Sequence, residues 1–364
     1  MKKLLVVTDN YLPNFTGVTK VLNEVLPRLK DFEVKLIYPS DRNYKLHGIE
    51  TQFVPFYFKL WGMPLAKVDE KIKEEVDKAD IIWIQFISLL AIQAIWRAKK
   101  KNKTIVAYLH LFEDEVYAEN ANLLLRPLRF LVRSIATYYY NKCDLLIVPS
   151  QNVGNKAREL GIKTKQIVVP LGVNITKRIK KYGESGKEKI ILGFVGRISR
   201  EKDLDTLIKA YNILKNKYKL ELFIVGGGRK EEVNRIRNLS DNDVKIIGFV
   251  DKPEEYYNKF DIFIAPSLTE TTSLVTLEAM SHGLPVITTR VGYVEKYIKD
   301  KENGLFFEAQ DEEDLASKLE ILIKNKELGK KLGKNAVKTA TSFSWEKTAA
   351  EISKVFYKIV SKNK

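Results

Sequence analysis

The sequence predicts an α/β protein built from two doubly wound parallel-sheet domains. Three observations carry the prediction: short β-rich apolar runs alternate with helical patterns, the alternation lapses once over 172–189, and it then restarts. At 364 residues the chain also exceeds what one ordinary core holds. In the first half the strand runs are 4–7, 34–38, 81–85, 104–110, 145–149 and 167–169, with helical patterns at 18–29, 89–100, 123–140 and 153–160. The segment 172–189 loses its periodicity and turns rich in Lys, Gly and Ser, which marks a linker. Beyond it, strands are expected at 190–195, 220–225, 244–247, 262–265 and 286–288, with helices at 204–214 and 229–238 and a further one after the fourth strand. The expected boundaries are a first domain over 1–171, the linker, a second domain over 190–344 and a closing helical piece over 345–364. In such sheets ligands sit at the carboxyl ends of the strands, so two facing domains would place a site in the cleft between them.

Composition narrows the class. Hydrophobic residues make up 45% and charged residues 30%, with only 11 prolines, which excludes a disordered or collagen-like chain. The lone Cys143 allows no internal disulfide and fits a reducing compartment. The opening apolar run breaks at Thr8-Asp9, too early for a signal peptide, and reads as a first strand; no uncharged apolar window is long enough to span a membrane. A formal charge of +16 calls for an anionic partner, be it nucleotide, lipid headgroup or nucleic acid, and does not choose among them.

The chain is organised around 262–285, read as a buried strand, a polar loop and a helix that begins near Thr271 and stops at Gly283-Leu284-Pro285. Thr271, Thr272 and Ser273 offer caps, and with Leu274 and Val275 they offer free backbone N–H groups, so the helix start is a ready anion site. Glu270 lies just before the helix, and Glu278 lies about two turns inside, ~10 Å further on. Two carboxylates so placed flank an anion, which is the shape of sugar, diphosphate and ribose.

Glu270, seven residues and Glu278, followed by Ala-Met-Ser-His-Gly-Leu-Pro-Val, resembles the paired-glutamate signature of family 4 retaining glycosyltransferases with the GT-B fold. Other pieces agree in the same order. Gly196-Arg197 with Lys202 five residues on resembles the family's cationic element, and two cations at a strand end stabilise the charge developing on a departing diphosphate. Where the family usually has Gly after that Lys, this chain has Asp203. The resemblance implies that Gly226 lines the nucleotide side, that Gly248, Phe249 and Val250 meet the base, that Glu270 touches the sugar hydroxyls and Glu278 the ribose. In the first domain Gly17 opens a helix where backbone can approach a diphosphate, and His110, at the end of its strand, takes the family's place beside the transferred sugar. The stretch around Trp345 resembles the last GT-B helix, which crosses back to the first domain.

No metal or other cofactor is expected. Asp203 and Asp205 fall in a helix's opening turn and Asp241 and Asp243 in a turn before a strand, whereas a metal-binding pair belongs after one. Arg126, Arg129 and Arg133, interleaved with Leu, Phe and a Tyr triplet, suit an anionic membrane surface. With the opening 11–29 and the segment 83–117, they look most like the family branch that glycosylates diacylglycerol-type lipids. The resulting expectation is a cytoplasmic enzyme, peripheral at the inner face of the cell membrane, that moves a hexose from a nucleotide sugar to a lipid hydroxyl, with no nucleic-acid partner. A soluble sugar or metabolite acceptor and, in another class, a non-catalytic basic binding module stay open on the sequence.

Overall fold

A computed structural model of the chain describes every residue except Asn10, 12–16, His47, 61–62, 68–69, Leu111, 121–122, 177–188, Asn242 and 363–364. It divides into two units, Met1–Leu171 with Trp345–Lys364, and Gly172–Ser344.

The first unit contains strands β1 (Lys2–Val7), β2 (Phe32–Pro39), β3 (Glu50–Val54), β4 (Phe56–Leu60), β5 (Met63–Ala66), β6 (Ile81–Ile84), β7 (Thr104–Tyr108), β8 (Leu145–Val148) and β9 (Gln166–Val168). Seven of them form a sheet in the order β3-β2-β1-β6-β7-β8-β9, and β4 and β5 pair as an antiparallel hairpin. Every pairing in the large sheet is parallel. Strands β6, β7 and β8 are buried along their whole length, as parallel strands covered on both faces must be. The helices are α1 (Gly17–Val25), α2 (Glu70–Lys78), α3 (Leu89–Lys100), α4 (Glu113–Asn120), α5 (Arg129–Tyr140) and α6 (Gln151–Glu159). Ser88 and Ser150 cap α3 and α6 by accepting from Ala91 N and Val153 N.

The second unit's strands are β10 (Ile190–Val195), β11 (Leu220–Val225), β12 (Val244–Gly248), β13 (Ile262–Ala265), β14 (Val286–Thr288) and β15 (Leu305–Phe306), in the parallel order β12-β11-β10-β13-β14-β15. Its helices are α7 (Leu204–Leu214), α8 (Lys230–Leu239), α9 (Glu254–Tyr257), α10 (Leu274–Ser281), α11 (Val294–Tyr297), α12 (Glu312–Lys324) and α13 (Lys326–Ala340). Helix α10 is buried from Thr276 to Ser281 and has no polar stripe, which makes it a central helix and not a surface one. The last helix, α14 (Trp345–Lys362), belongs to the first unit: Phe356 packs edge-on against Phe32 at 5.6 Å and Trp83 at 5.2 Å.

Local structure departs from the sequence expectation at several places. The helix expected over 123–140 is a 3-10 turn, Leu123–Leu128, followed by α5, because Pro127 lacks an N–H and restricts the residue before it. Pro27 in the same way ends α1 in a 3-10 turn over Leu26–Arg28. The strand expected to reach His110 stops at Tyr108. The helix expected from Thr271 begins at Leu274, because Ser273 takes the left-handed conformation (φ 54°, ψ 67°) and its side chain caps nothing. Of the expected linker, Val173 already hydrogen-bonds to Phe343 O at 2.7 Å within the second unit, and 177–188 lie outside the described residues.

Candidate active site

In the second unit the parallel sheet sends the loops after β10, β11, β12, β13 and β14 to one edge, and these loops carry the expected residues. Glycine is required where they touch. Gly226, at φ +139°, donates its N–H to Gly248 O at 2.8 Å, and a Cβ there would meet Gly196 O at 1.9 Å. Gly292, at φ +58°, would likewise drive a Cβ to 1.9 Å from Glu270 O, and the neighbouring Tyr293 N–H donates to Thr271 O at 2.9 Å. The loop after β14 therefore fixes the backbone on which Glu270 stands.

Lys202 and Glu270, 68 residues apart in sequence, form an ion pair at 2.7 Å with side chains only 17% and 12% exposed. Ser267 Oγ donates to the same carboxylate oxygen at 3.0 Å. Arg197 stands apart from that pair: its side chain is 62% exposed and its guanidinium donates to Glu201 at 2.7 Å. Leu268 N–H reaches Glu201 O at 2.8 Å, so the cationic loop and the Glu270 loop are joined by backbone as well as by charge.

Thr272 and Ser273 are buried and Thr271, Leu274 and Val275 half-buried. The Tyr297 hydroxyl donates to Thr272 O at 3.0 Å, and Ser273 Oγ pairs with Thr276 Oγ1 at 2.8 Å. Thr272 Oγ1 is buried without a partner among the described residues. The first N–H groups of α10 have no acceptor within the helix, so this turn presents donors and a positive dipole end. Glu278 lies ~6 Å along α10 from Leu274, buried, and accepts from Tyr257 Oη at 2.9 Å. Burial, and then the charge of Glu278, push the Tyr257 hydroxyl well above its ordinary pKa. Phe249 is 64% exposed beside Gly227, while Val250 packs on the core.

Asp203, the departure from the family pattern, sits at φ 45° and ψ 49°, a left-handed conformation that glycine adopts without cost. Its carboxylate accepts from Thr206 Oγ1 at 2.8 Å. Asp205 is bound to Arg235, Asp241 to Lys215, and Asp243 to Tyr211 Oη at 2.9 Å. All four aspartates are held by organic partners.

In the first unit, His110 is 8% exposed and stacks on Tyr108, with centroids 4.2 Å apart and planes 24° apart. Its Nε2 lies 2.8 Å from Gln85 Oε1. Burial pushes the imidazole down to about 3, so it is neutral at working pH. Gly17 opens α1 with nothing within 4 Å of a Cβ position, so packing does not demand its small size; Thr16 lies outside the described residues.

Arg126 and Arg129 are exposed, among Leu125, Leu128, Phe130, Leu131, Ile135 and Tyr138, which are each more than two-fifths exposed. Arg133 is different. It is half-buried and donates from Nε to the buried Asp114 carboxylate at 2.9 Å, so it ties α5 to α4 and is not presented outward. Among the described residues no helix is long and apolar enough to cross a membrane.

Sequence reasoning did not find Gln85, Tyr257, Ser267, Gly292 or Tyr297. Only Gln85 carried a signal, an amide closing the apolar run Ile-Ile-Trp-Ile. The others act through contacts that spacing does not reveal.

Comparison with known proteins now bears on this geometry. The family model for Glycosyltransferase Family 4 matches residues 15–177, and that for Glycosyl transferases group 1 matches 175–339. A Methanocaldococcus jannaschii glycosyltransferase is 28% identical over 351 residues, covering 95% of both chains. The alpha-monoglucosyldiacylglycerol synthase of Streptococcus pneumoniae is also 28% identical over 351 residues, covering 87% of this chain and 77% of its own. Anabaena HepE in complex with UDP superposes with a TM-score of 0.81 at 17% identity, over 98% of this chain and all of that one, and shares the fold.

Proposed function

The chain belongs to the family 4, group 1 glycosyltransferases and has their GT-B fold, and from that premise we propose that it moves a hexose from a nucleotide-diphosphate sugar to the hydroxyl of a membrane lipid, with retention at the anomeric carbon. The observation that carries the reading is the half-buried cluster of Lys202, Glu270 and Ser267 beside the start of α10.

When the bond between the anomeric carbon and the diphosphate oxygen breaks, the electron pair leaves with the diphosphate. Arg197, Lys202 and the first N–H groups of α10 stabilise that charge. No metal is needed for this step. The acceptor oxygen bonds the anomeric carbon and passes its proton to the departing diphosphate oxygen. Glu270 receives hydroxyls of the sugar and Glu278 those of the ribose, while Gly226 lets the nucleotide approach and Gly248, Phe249 and Val250 border the base. Gly17 gives the diphosphate room, and neutral His110 lies by the sugar as a hydrogen-bonding group. In the ligand-free chain Lys202 satisfies Glu270, and a bound diphosphate competes for that ammonium.

A lipid acceptor is favoured over a soluble one by the exposed apolar and aromatic face of α5, flanked by Arg126 and Arg129, which matches an anionic membrane surface. The alpha-monoglucosyldiacylglycerol synthases among the relatives point the same way. The test is turnover of a panel of nucleotide sugars with dioleoylglycerol in anionic vesicles, with and without EDTA, and product configuration read by NMR. An α-linked glycolipid formed equally in EDTA from an α-linked donor is expected. Failure to turn over every donor defeats the enzymatic reading, product only with soluble alcohols defeats the lipid, and loss of activity restored by Mg2+ or Mn2+ defeats metal independence.

A further inference from the structure

We infer that Gln85 is the positioning residue of His110: by accepting the Nε2 proton it fixes the imidazole as the tautomer whose Nδ1 is a bare acceptor, so that this position takes a hydroxyl donor and turns away an anion. The inference rests on the nucleotide-sugar reading for whose hydroxyl that is, but not for the tautomer.

Gln85 follows β6 directly, and β6 lies beside β7 in the sheet, with Ile84 opposite Ala107. Its backbone N–H is pinned to Val7 O at 3.0 Å and its side chain is completely buried. Its amide oxygen lies 2.8 Å from His110 Nε2, whereas its amide nitrogen is buried with no partner among the described residues. An orphaned buried donor is costly, and an apolar residue would fill the place more cheaply, so the amide is retained for its oxygen.

Two contacts then determine the ring. Stacking on Tyr108 sets its plane and the bond to Gln85 sets its rotation. Among the described residues, the carboxyl groups on this edge are otherwise engaged. Glu113 is committed to Tyr140 Oη at 2.6 Å and Ile87 N at 3.0 Å, Asp114 is bound to Arg133, and burial pushes the Asp9 carboxyl, after β1, up to about 8. Among the described residues no carboxylate hydrogen-bonds to His110. A neutral imidazole donating from Nε2 leaves a lone pair at Nδ1, which attracts O–H and repels phosphate oxygen.

The experiment is nitrogen-15 NMR of the imidazoles in the full chain, whose three histidines give few signals, with His110→Ala for assignment. The wild type is expected to show His110 protonated at Nε2 only, throughout the pH range in which the fold is stable. In Gln85→Leu the tautomers mix, and kcat for the nucleotide sugar falls roughly 10- to 100-fold, the loss seen when partners that orient metal-bound histidines are removed, with little change in KM. Gln85→Glu keeps an acceptor at Nε2, so the Nε2 proton stays, but its carboxylate raises the imidazole pKa and adds a proton at Nδ1 at low pH; above that pKa the wild-type tautomer and most of the rate return. Protonation of wild-type His110 at Nδ1, or a Gln85→Leu spectrum identical to the wild type, overturns the inference. If Gln85→Leu does not fold, the wild-type and Gln85→Glu spectra still decide it. The expected spectrum with no turnover of any nucleotide sugar would sink the functional reading while leaving the positioning role standing.

Discussion

Removing the Lys202 ammonium leaves the Glu270 carboxylate in a half-buried place with, among the described residues, the Ser267 hydroxyl as its remaining hydrogen-bond donor. At 2.7 Å and an effective dielectric of about 20, the gross attraction is ~6 kcal/mol. Desolvation of the two ends offsets most of that, leaving a coupling of about 1–3 kcal/mol. The assay is a double-mutant cycle of Lys202→Met, Glu270→Gln and the pair, followed by urea denaturation and by turnover. Lys202→Met should be the less stable single variant, since it strands a charge, and the double variant should regain part of the loss. Turnover should behave otherwise, falling on the order of 100-fold in Lys202→Met and staying low in the double variant, because the diphosphate has lost its cation. Strictly additive stabilities would show that the pair is energetically idle, and wild-type turnover of Lys202→Met would refute the leaving-group role.

Arg197→Ala should leave stability within about 0.5 kcal/mol, because the side chain is 62% exposed, yet lower kcat on the order of 100-fold; an unchanged kcat removes Arg197 from the site. Glu278→Gln should weaken the free nucleoside diphosphate by about 1.5–3 kcal/mol in calorimetry while Glu270→Gln leaves it nearly unchanged, and the reverse pattern would mean that the ligand lies the other way round. Arg126 and Arg129 together→Gln should reduce co-sedimentation with phosphatidylglycerol vesicles roughly 30-fold, from about 1 kcal/mol each, whereas Arg133→Gln should cost stability by stranding Asp114; equal vesicle binding of the double variant and wild type would defeat the α5 surface. Burial raises Asp9 from 3.8 to about 8, so between those values the folded chain holds a proton that the unfolded chain has released, and stability falls as pH rises through that window and stays lower above it. Asp9→Asn should therefore gain in melting temperature over the wild type as pH climbs; a difference independent of pH would mean that Asp9 is not held protonated.

Much of the candidate site was legible in the sequence. The pair Glu270 and Glu278, the cations Arg197 and Lys202 and the glycines of the second unit stand out because each sits at a strand end or a helix start, places that periodicity locates. What periodicity misjudged was the start of α10, since a left-handed Ser273 has no signature in residue type, and the basic helix, where Pro127 cut the pattern and Asp114 claimed Arg133.

The sequence by itself determined the two parallel sheets, because apolar runs of strand length alternating with helical patterns can bury their faces in few other ways. It also determined which loops carry charge. Only the tertiary structure decided who meets whom: that Lys202 closes on Glu270 across 68 residues, that Gly292 supports the Glu270 backbone, that Tyr257 holds Glu278, and that Gln85 holds His110. These partnerships are set by strand order and by packing at ångström scale, and a linear pattern records neither.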